Sequence, residues 1–155
     1  FSGEKVPLKA GELWLGTKAE DIGLSVRPGA DHFGELQAWD PATGKKVWSH
    51  NFPKSQLFAS VTTTAGDLVF VGGTNDRNFR AFDAKTGDVL WEQKTNSGIV
   101  GMPIAYEVDG TEYIAVQSGW GVDAQRIQDA LAGDNVGIEN NVPQGGVVWV
   151  FAVKK

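Results

Sequence analysis

The chain has no cysteine, which removes disulfides, thiol nucleophiles and cysteine-based metal sites while remaining compatible with any compartment. Its two histidines, His32 and His50, stand far apart with no HxxxH spacing. They make no metal set and read as loop and strand surface residues. No apolar run approaches the ~20 residues of a membrane span, and no signal-peptide pattern is visible at Phe1. An internal piece would lack such a leader wherever its parent resides. Positive charge is also short: 14 Lys and Arg face 19 Asp and Glu, a formal net charge of −5, which argues against nucleic acid and anionic membrane as partners. No GxSxG or serine–histidine pattern, P-loop or dinucleotide fingerprint appears. The carboxylates fall mostly in turns. Asp123 alone takes a cleft-like position, and it suits a helix cap as well. By itself this stretch carries no catalytic machine.

What the chain does have is glycine, 20 of 155 residues, six tryptophans and a repeat. AWDPATGKKVW begins at Ala38 and AFDAKTGDVLW at Ala81, 43 residues apart. The copies share Ala, Asp, Thr, Gly and Trp at identical offsets. A period of about 40–50 residues with roughly four strands per copy marks the blade of a β-propeller. Asp40 and Asp83 suit Asx turns. Pro41 presets its turn, and Gly44 and Gly87 can take the positive φ of a bulged hairpin exit. Trp48 and Trp91 carry enough apolar area to join neighbouring blades. Two similar hairpins in a sandwich are the plainer alternative, and agreement at blade period outweighs it. A propeller needs about four blades of roughly 40 residues or more, so the chain reads as part of a larger closed structure.

In chain order, residues 1–10 read as irregular and 11–17 (GELWLGT) as a strand. Residues 18–33 form an excursion containing Arg27, Pro28 and His32, and 34–51 form the first repeat's hairpin. The middle blade is complete: a strand over 57–64, a tight AGD turn, a strand over 68–74, then FRAFD and DVLWEQK around an AKTG turn. The last blade opens with 99–106, turns at VDG, continues through 111–118, makes an excursion over 119–145 and closes on GGVVWVFAV. The blade parts are thus 1–50, 57–93 and 98–153, the last lacking its outer strand. An exposed final edge invites aggregation, so another segment, the parent's N-terminus, is expected to supply that strand. Counting strands A to D, both long excursions are B–C connections, whereas the tight turns lie at the opposite end. One end of the blades is scaffold and the other is elaborated, as where sites are grafted. There SGWGVD places Trp120 between two glycines as a lid or wall, or as a cover for the propeller's own top. DAQRIQDALAG, with Ile127, Ala130 and Leu131, reads as a short helix.

The A-x-D-x-x-T-G-x-x-x-W repeat resembles the tryptophan-docking motif of the pyrroloquinoline quinone (PQQ)-dependent alcohol dehydrogenases. The SGIVGMPI, EYIAV, GWG and QGG segments are similar to the C-terminal part of those enzymes and are more specific than the repeats. The similarity runs from about Gly11 to Val153. It implies an all-β fold, the C-terminal blades of a periplasmic eight-bladed propeller that oxidises primary alcohols to aldehydes. In that family hydride passes to the C5 carbonyl of PQQ, a calcium or lanthanide ion acts as Lewis acid and an aspartate as base, and electrons leave to a cytochrome c. The family's metal ligands, catalytic aspartate and vicinal disulfide lie upstream of this segment, so no catalytic residue is expected here and the segment alone is expected to be inactive. Two places carry over as cofactor-binding. Phe58 stands where the family has a tryptophan beside the cofactor, and keeps an apolar wall without the indole donor. The loop closing over PQQ aligns with Gly119, Trp120, Gly121, Val122 and Asp123, whose backbone N–H groups could meet a PQQ carboxylate while Trp120 shapes the alcohol pocket.

The partners so implied are the rest of the propeller, a cytochrome c and a small alcohol, with no nucleic acid or membrane span; a homodimer is left open. A non-catalytic propeller scaffold of the outer-membrane assembly type shares the docking repeats, but offers no reason for a Gly-Trp-Gly loop at the propeller mouth. A sugar-oxidising enzyme or a quinohaemoprotein is a third possibility. No C-x-x-C-H haem motif is present.

Overall fold

The computed structural model describes residues 7–12, 14, 16, 26–133, 138 and 140–153. Antiparallel strands form three sheets. The first holds β1 (Gly34–Asp40) and β2 (Lys45–Phe52). The second is a four-stranded meander of β3 (Thr62–Thr63), β4 (Leu68–Val71), β5 (Asn78–Asp83) and β6 (Val89–Lys94) in sequential order. The third joins β7 (Ile104–Val108) and β8 (Thr111–Ser118), with β9 (Val147–Val153) at its edge; a helix, α1 (Val122–Gly133), lies between β8 and β9 in sequence.

The two repeats fold alike in detail. Ala38 pairs with Trp48 and Ala81 with Trp91, and each strand pair bulges immediately after its alanine. Asp40 accepts the Ala42 N–H at 2.9 Å and the Thr43 hydroxyl at 2.7 Å. Asp83 accepts the N–H groups of Lys85 and Thr86. These donors hold both carboxyls below the usual aspartate range, the Thr43 hydroxyl foremost at Asp40 and the Thr86 N–H foremost at Asp83. Gly44 and Gly87 close the turns at φ of 64° and 78°. A Cβ on Gly44 would meet nothing within 4 Å, so Gly44→Ala is expected to cost only the left-handed backbone term, about 1 kcal/mol, read as a small loss in denaturant midpoint. A loss several times larger would show a contact that this turn does not contain.

Inter-sheet packing explains why, among the described residues, the middle sheet alone is buried on both faces. Val69, Val71 and Phe82 bury against Leu36 and Phe52 of the first sheet. Phe70, Phe79 and Ala81 bury against Ile114 and Val116 of the third, with Phe151 and Trp149 at the margin. Strands of β5 are therefore buried nearly throughout, whereas β6 is exposed along its length. Successive sheets stacked face to face, inner strands buried and outer strands wet, are consecutive propeller blades.

Three strands are shorter than the sequence pattern suggests, among them the one expected over 68–74, which ends at Val71, and one does not form. The strand expected over 57–64 shrinks to Thr62–Thr63. Before it the chain runs against the next loop: the Phe58 N–H donates to Gly73 O at 3.0 Å, and a Cβ on Gly73 would stand 2.7 Å from Ala59 Cβ. The strand expected from residue 99 starts at Ile104, directly after Pro103, which has no N–H for a ladder. No strand forms at the described residues of GELWLGT: Gly11, Glu12 and Gly16 lie in turns or bends. Leu13, Leu15 and Thr17 of that stretch, and residues 18–25 of the first excursion, lie outside the described residues.

Elsewhere the pattern holds. β8 spans 111–118 as expected. Asp109 and Gly110 both take positive φ, at 50° and 74°, giving the two-residue hairpin turn that Asp-Gly favours. The helix expected in the second excursion is α1. In the first repeat, Trp48 crosses to the next sheet, where its Nε1–H donates to Ala84 O at 2.9 Å. Its ring covers Gly87 so closely that a Cβ there would lie 2.6 Å from Trp48 Cδ2. A tryptophan of one blade thus docks on the turn of the next.

Candidate functional site at the elaborated end

Two ends of the stacked sheets differ in character. At one lie the short turns at Asp40–Gly44, Thr64–Leu68, Asp83–Gly87 and Val108–Thr111, with Lys85 Nζ bonded to Asp67 across two of them at 2.6 Å. At the other, the inter-blade links and the β4–β5 and β8–β9 connections meet. Asn75 donates its N–H to Ser55 Oγ at 2.9 Å, Thr95 its N–H to Arg77 O at 3.0 Å, and Ser97 Oγ its proton to Pro143 O at 2.5 Å. The second excursion thus lies at the end opposite the short turns, as expected; residues 18–25 of the first lie outside the described residues.

At the elaborated end Phe58 and Trp120 come together. Their rings stand edge to face, centroids 5.4 Å apart at 90°, the geometry favoured by aromatic quadrupoles. Trp120 is 3% exposed and packs with Ala124 and Val142. Its Nε1–H is buried and has no hydrogen-bond partner among the described residues. Such a donor costs roughly 1–3 kcal/mol unless an acceptor reaches it.

Other expected site residues are placed differently. The Gly119 N–H is already committed to Gly98 O at 2.7 Å. The Gly121 carbonyl accepts the first helical bond, from the Gln125 N–H at 3.0 Å. Val122 and Asp123 are exposed in the first turn of α1, where Asp123 complements the helix dipole. The first N–H groups of α1 have no intrahelical partner. An open groove of about 440 Å³ beside the indole is lined by Val100, Gly101 and residues 117–121. Trp120, the aromatic residue lining this groove, gives it a flat apolar face of the kind that fits a planar ring such as a quinone.

Sequence reasoning missed what supports Trp120. Asn96 Oδ1 accepts both the Ser118 hydroxyl at 2.7 Å and Trp149 Nε1–H at 3.1 Å. Gly98 lies directly under the indole. The signal was present as the Asn-Ser-Gly run between two blades, a link with no strand pattern of its own. His50, read as a surface residue, is half-buried between Phe52 and Phe82, centroids 4.9 and 5.0 Å away. Burial, and then the charge of Arg80, hold its pKa below the ordinary histidine value. No group of three or more potential metal ligands occurs among the described residues, and no described helix is long and apolar enough to cross a membrane.

Stacked antiparallel sheets, one of them a complete four-stranded meander, with Trp48 docked from one onto the next, define the class, a run of β-propeller blades. Residues 55–114 match the family model described as glucose/ethanol/alcohol dehydrogenase, beta-propeller domain, of the PQQ type. The chain is 44% identical over 97% of its length to a quinoprotein ethanol dehydrogenase of Pseudomonas putida, covering 22% of that protein. It is 41% identical over 65% of its length to a 1-butanol dehydrogenase (cytochrome c) of Thauera butanivorans, covering 15% of it. Among solved structures, a europium-containing methanol dehydrogenase superposes with a TM-score of 0.66 at 36% identity, over 81% of this chain and 24% of that one. Along nearly its whole length the chain is similar to quinoprotein alcohol dehydrogenases, and it covers between 15% and 24% of the length of these relatives.

Proposed function

We propose that these are the C-terminal blades of a periplasmic quinoprotein that oxidises primary alcohols to aldehydes and passes electrons to a cytochrome c. The observation that carries the reading is Trp120: a buried indole squared against Phe58, with its donor left unpartnered. Bound PQQ would supply the hydride acceptor, and a calcium or lanthanide ion, held by residues outside this segment, would supply Lewis-acid polarisation. The residues of this chain supply surroundings. Phe58 and Trp120 form an apolar wall that keeps water from the reacting carbon. The turn of α1 at Val122 and Asp123 sits over the mouth with its leading N–H groups, which suit a carboxylate. Phe58, lacking a donor, leaves that wall purely apolar. The relatives' printed names, an ethanol and a butanol dehydrogenase, favour a small primary alcohol as substrate. The edge strand β9, with Val148 and Val150 exposed, is expected to pair with a strand from the remainder of the propeller.

The test uses the full-length protein, reconstituted with PQQ in calcium and separately in a lanthanide. Quinone absorbance should survive desalting, and dye reduction should depend on a primary alcohol with at least one of the ions. Loss of the quinone with both ions would make the assembly a scaffold and Trp120 a cover for its top.

A further inference from the structure

The three atoms nearest to a Cβ on Gly98 all belong to the Trp120 indole. A Cβ there would lie 2.7 Å from Trp120 Cζ3 and 2.9 Å from Cδ2, with Cε3 closer still. Its φ lies outside the left-handed region, so its backbone would accept any L residue. The indole, at these distances, demands glycine at this position.

The backbone under the ring is also held from several sides. Gly98 O accepts the Gly119 N–H, and Ile99 bridges Gly119 in parallel. Ser97, fully buried, donates to Pro143 O near the far end of the excursion. Asn96 holds Ser118 and Trp149. The link therefore fixes both ends of the excursion that carries Trp120, and it cannot recede from an added methyl group. Ala124 and Val142 are buried against the indole, whereas Phe58 is only half-buried. A displaced ring would move towards Phe58, the neighbour able to yield.

We infer that Gly98 is a positioning residue: it sets the depth at which Trp120 sits, and through Trp120 which alcohols the mouth of the propeller admits. The inference rests on the alcohol-oxidising reading above. Gly98→Ala pushes the indole into the pocket, and longer alcohols lose more than short ones. Pocket contacts discriminate one methylene by about 10–200-fold, and ring displacement by a fraction of that size is expected to lower kcat/KM for 1-hexanol about tenfold relative to ethanol.

The experiment is a double-variant cycle in the full-length holoenzyme, read two ways. In thermal unfolding of the PQQ-free protein, Gly98→Ala should lower the midpoint when Trp120 is present and leave it nearly unchanged in a Trp120→Ala background. In the loaded enzyme, the hexanol-to-ethanol ratio should fall for Gly98→Ala and rise for Trp120→Phe, whose smaller ring leaves room. If Gly98→Ala alone does not fold, recovery of folding by Trp120→Ala supports the same seat, and the ratio is then read from Trp120→Phe. Equal destabilisation in both backgrounds overturns the seat. Coupling with an unchanged alcohol ratio overturns the role in selectivity. Failure of the wild type to retain PQQ is a separate result, which overturns the functional reading and the selectivity role with it while the thermal cycle still reports on the seat.

Discussion

Arg80→Met in the full-length protein is expected to lower stability by about 2–3 kcal/mol at neutral pH, and the loss should shrink as pH falls. Arg80 projects from β5 into the interface with the first sheet and is 8% exposed. Its guanidinium pairs with Asp76 through Nη2, donates from Nη1 to Thr74 Oγ1 at 3.0 Å, and approaches Glu92 through Nε at 3.3 Å. It also lies over the Phe52 ring, 5.6 Å from the centroid, a cation–π contact between blades. Methionine keeps the apolar stem and deletes the charge. Breaking a fully buried pair from one side costs roughly 3–5 kcal/mol. Here the Asp76 side chain is 43% exposed, so water moderates the penalty.

The pH dependence follows from Asp76. Burial pushes its carboxyl up, yet Arg80, Thr74 and the Asn78 N–H favour the charged form and the net direction is down. A carboxyl depressed in the folded state adds stability above its unfolded pKa of about 4 and loses it as pH falls through the folded value. Without Arg80 the carboxyl loses two of the influences that lower it, so acidification should cost the variant less than it costs the wild type. Urea midpoints at pH 7 and at about pH 3, below the unfolded pKa, would measure this. An equal deficit at both would show that Arg80 acts only through packing. Removal of the same charge should raise the His50 pKa, since Arg80 is the second of the two influences holding it down.

Much of this fold is written in short-range chemistry. The Asx aspartates, positive-φ glycines and docking tryptophan of the repeat are local choices, and the observed register, with a bulge after Ala38 and after Ala81, repeats them faithfully. Asp109-Gly110 fixed its hairpin for the same reason. Less legible was anything settled by distant backbone. Residues 57–61 look like a strand by composition, but Gly73 brings another loop against them and takes the Phe58 N–H. Trp120 could be placed at the elaborated end from strand order alone. That it is buried, set against Phe58 and seated on Gly98 depends on residues more than 20 positions away, and no periodicity records such a contact. Arg80 was missed because FRAFD reads simply as an inner strand; only the stacked first blade makes its buried charge an inter-blade clamp.

The docking tryptophans supply the other large expectation. Trp48→Ala should cost about 3 kcal/mol, the low end of tryptophan truncations because the ring is only partly buried. The loss combines the contact with Gly87 and the cluster of Leu36, Phe52 and Phe82 with an Ala84 carbonyl deprived of its donor. Trp48→Phe separates these contributions: it keeps most of the ring contact and should cost only the hydrogen bond and a residual gap, about 1 kcal/mol. Gly87→Ala is the reciprocal test, since its new methyl group would occupy the space of the Trp48 ring; it should exceed Gly44→Ala, whose turn is open. Trp39→Ala is the control on the same hairpin. That ring is 55% exposed and bonds only its near neighbour Gln37, so its removal should stay within about 0.5 kcal/mol. Chemical unfolding of the five variants should give the order Trp48→Ala, then Gly87→Ala, then Trp48→Phe and Gly44→Ala, with Trp39→Ala last. If Trp39 and Trp48 proved equal, the tryptophans would be interchangeable surface aromatics and blade docking would not be what holds these sheets together. The predicted order instead makes the repeat a device for passing rigidity from blade to blade, towards the end where Phe58 and Trp120 meet.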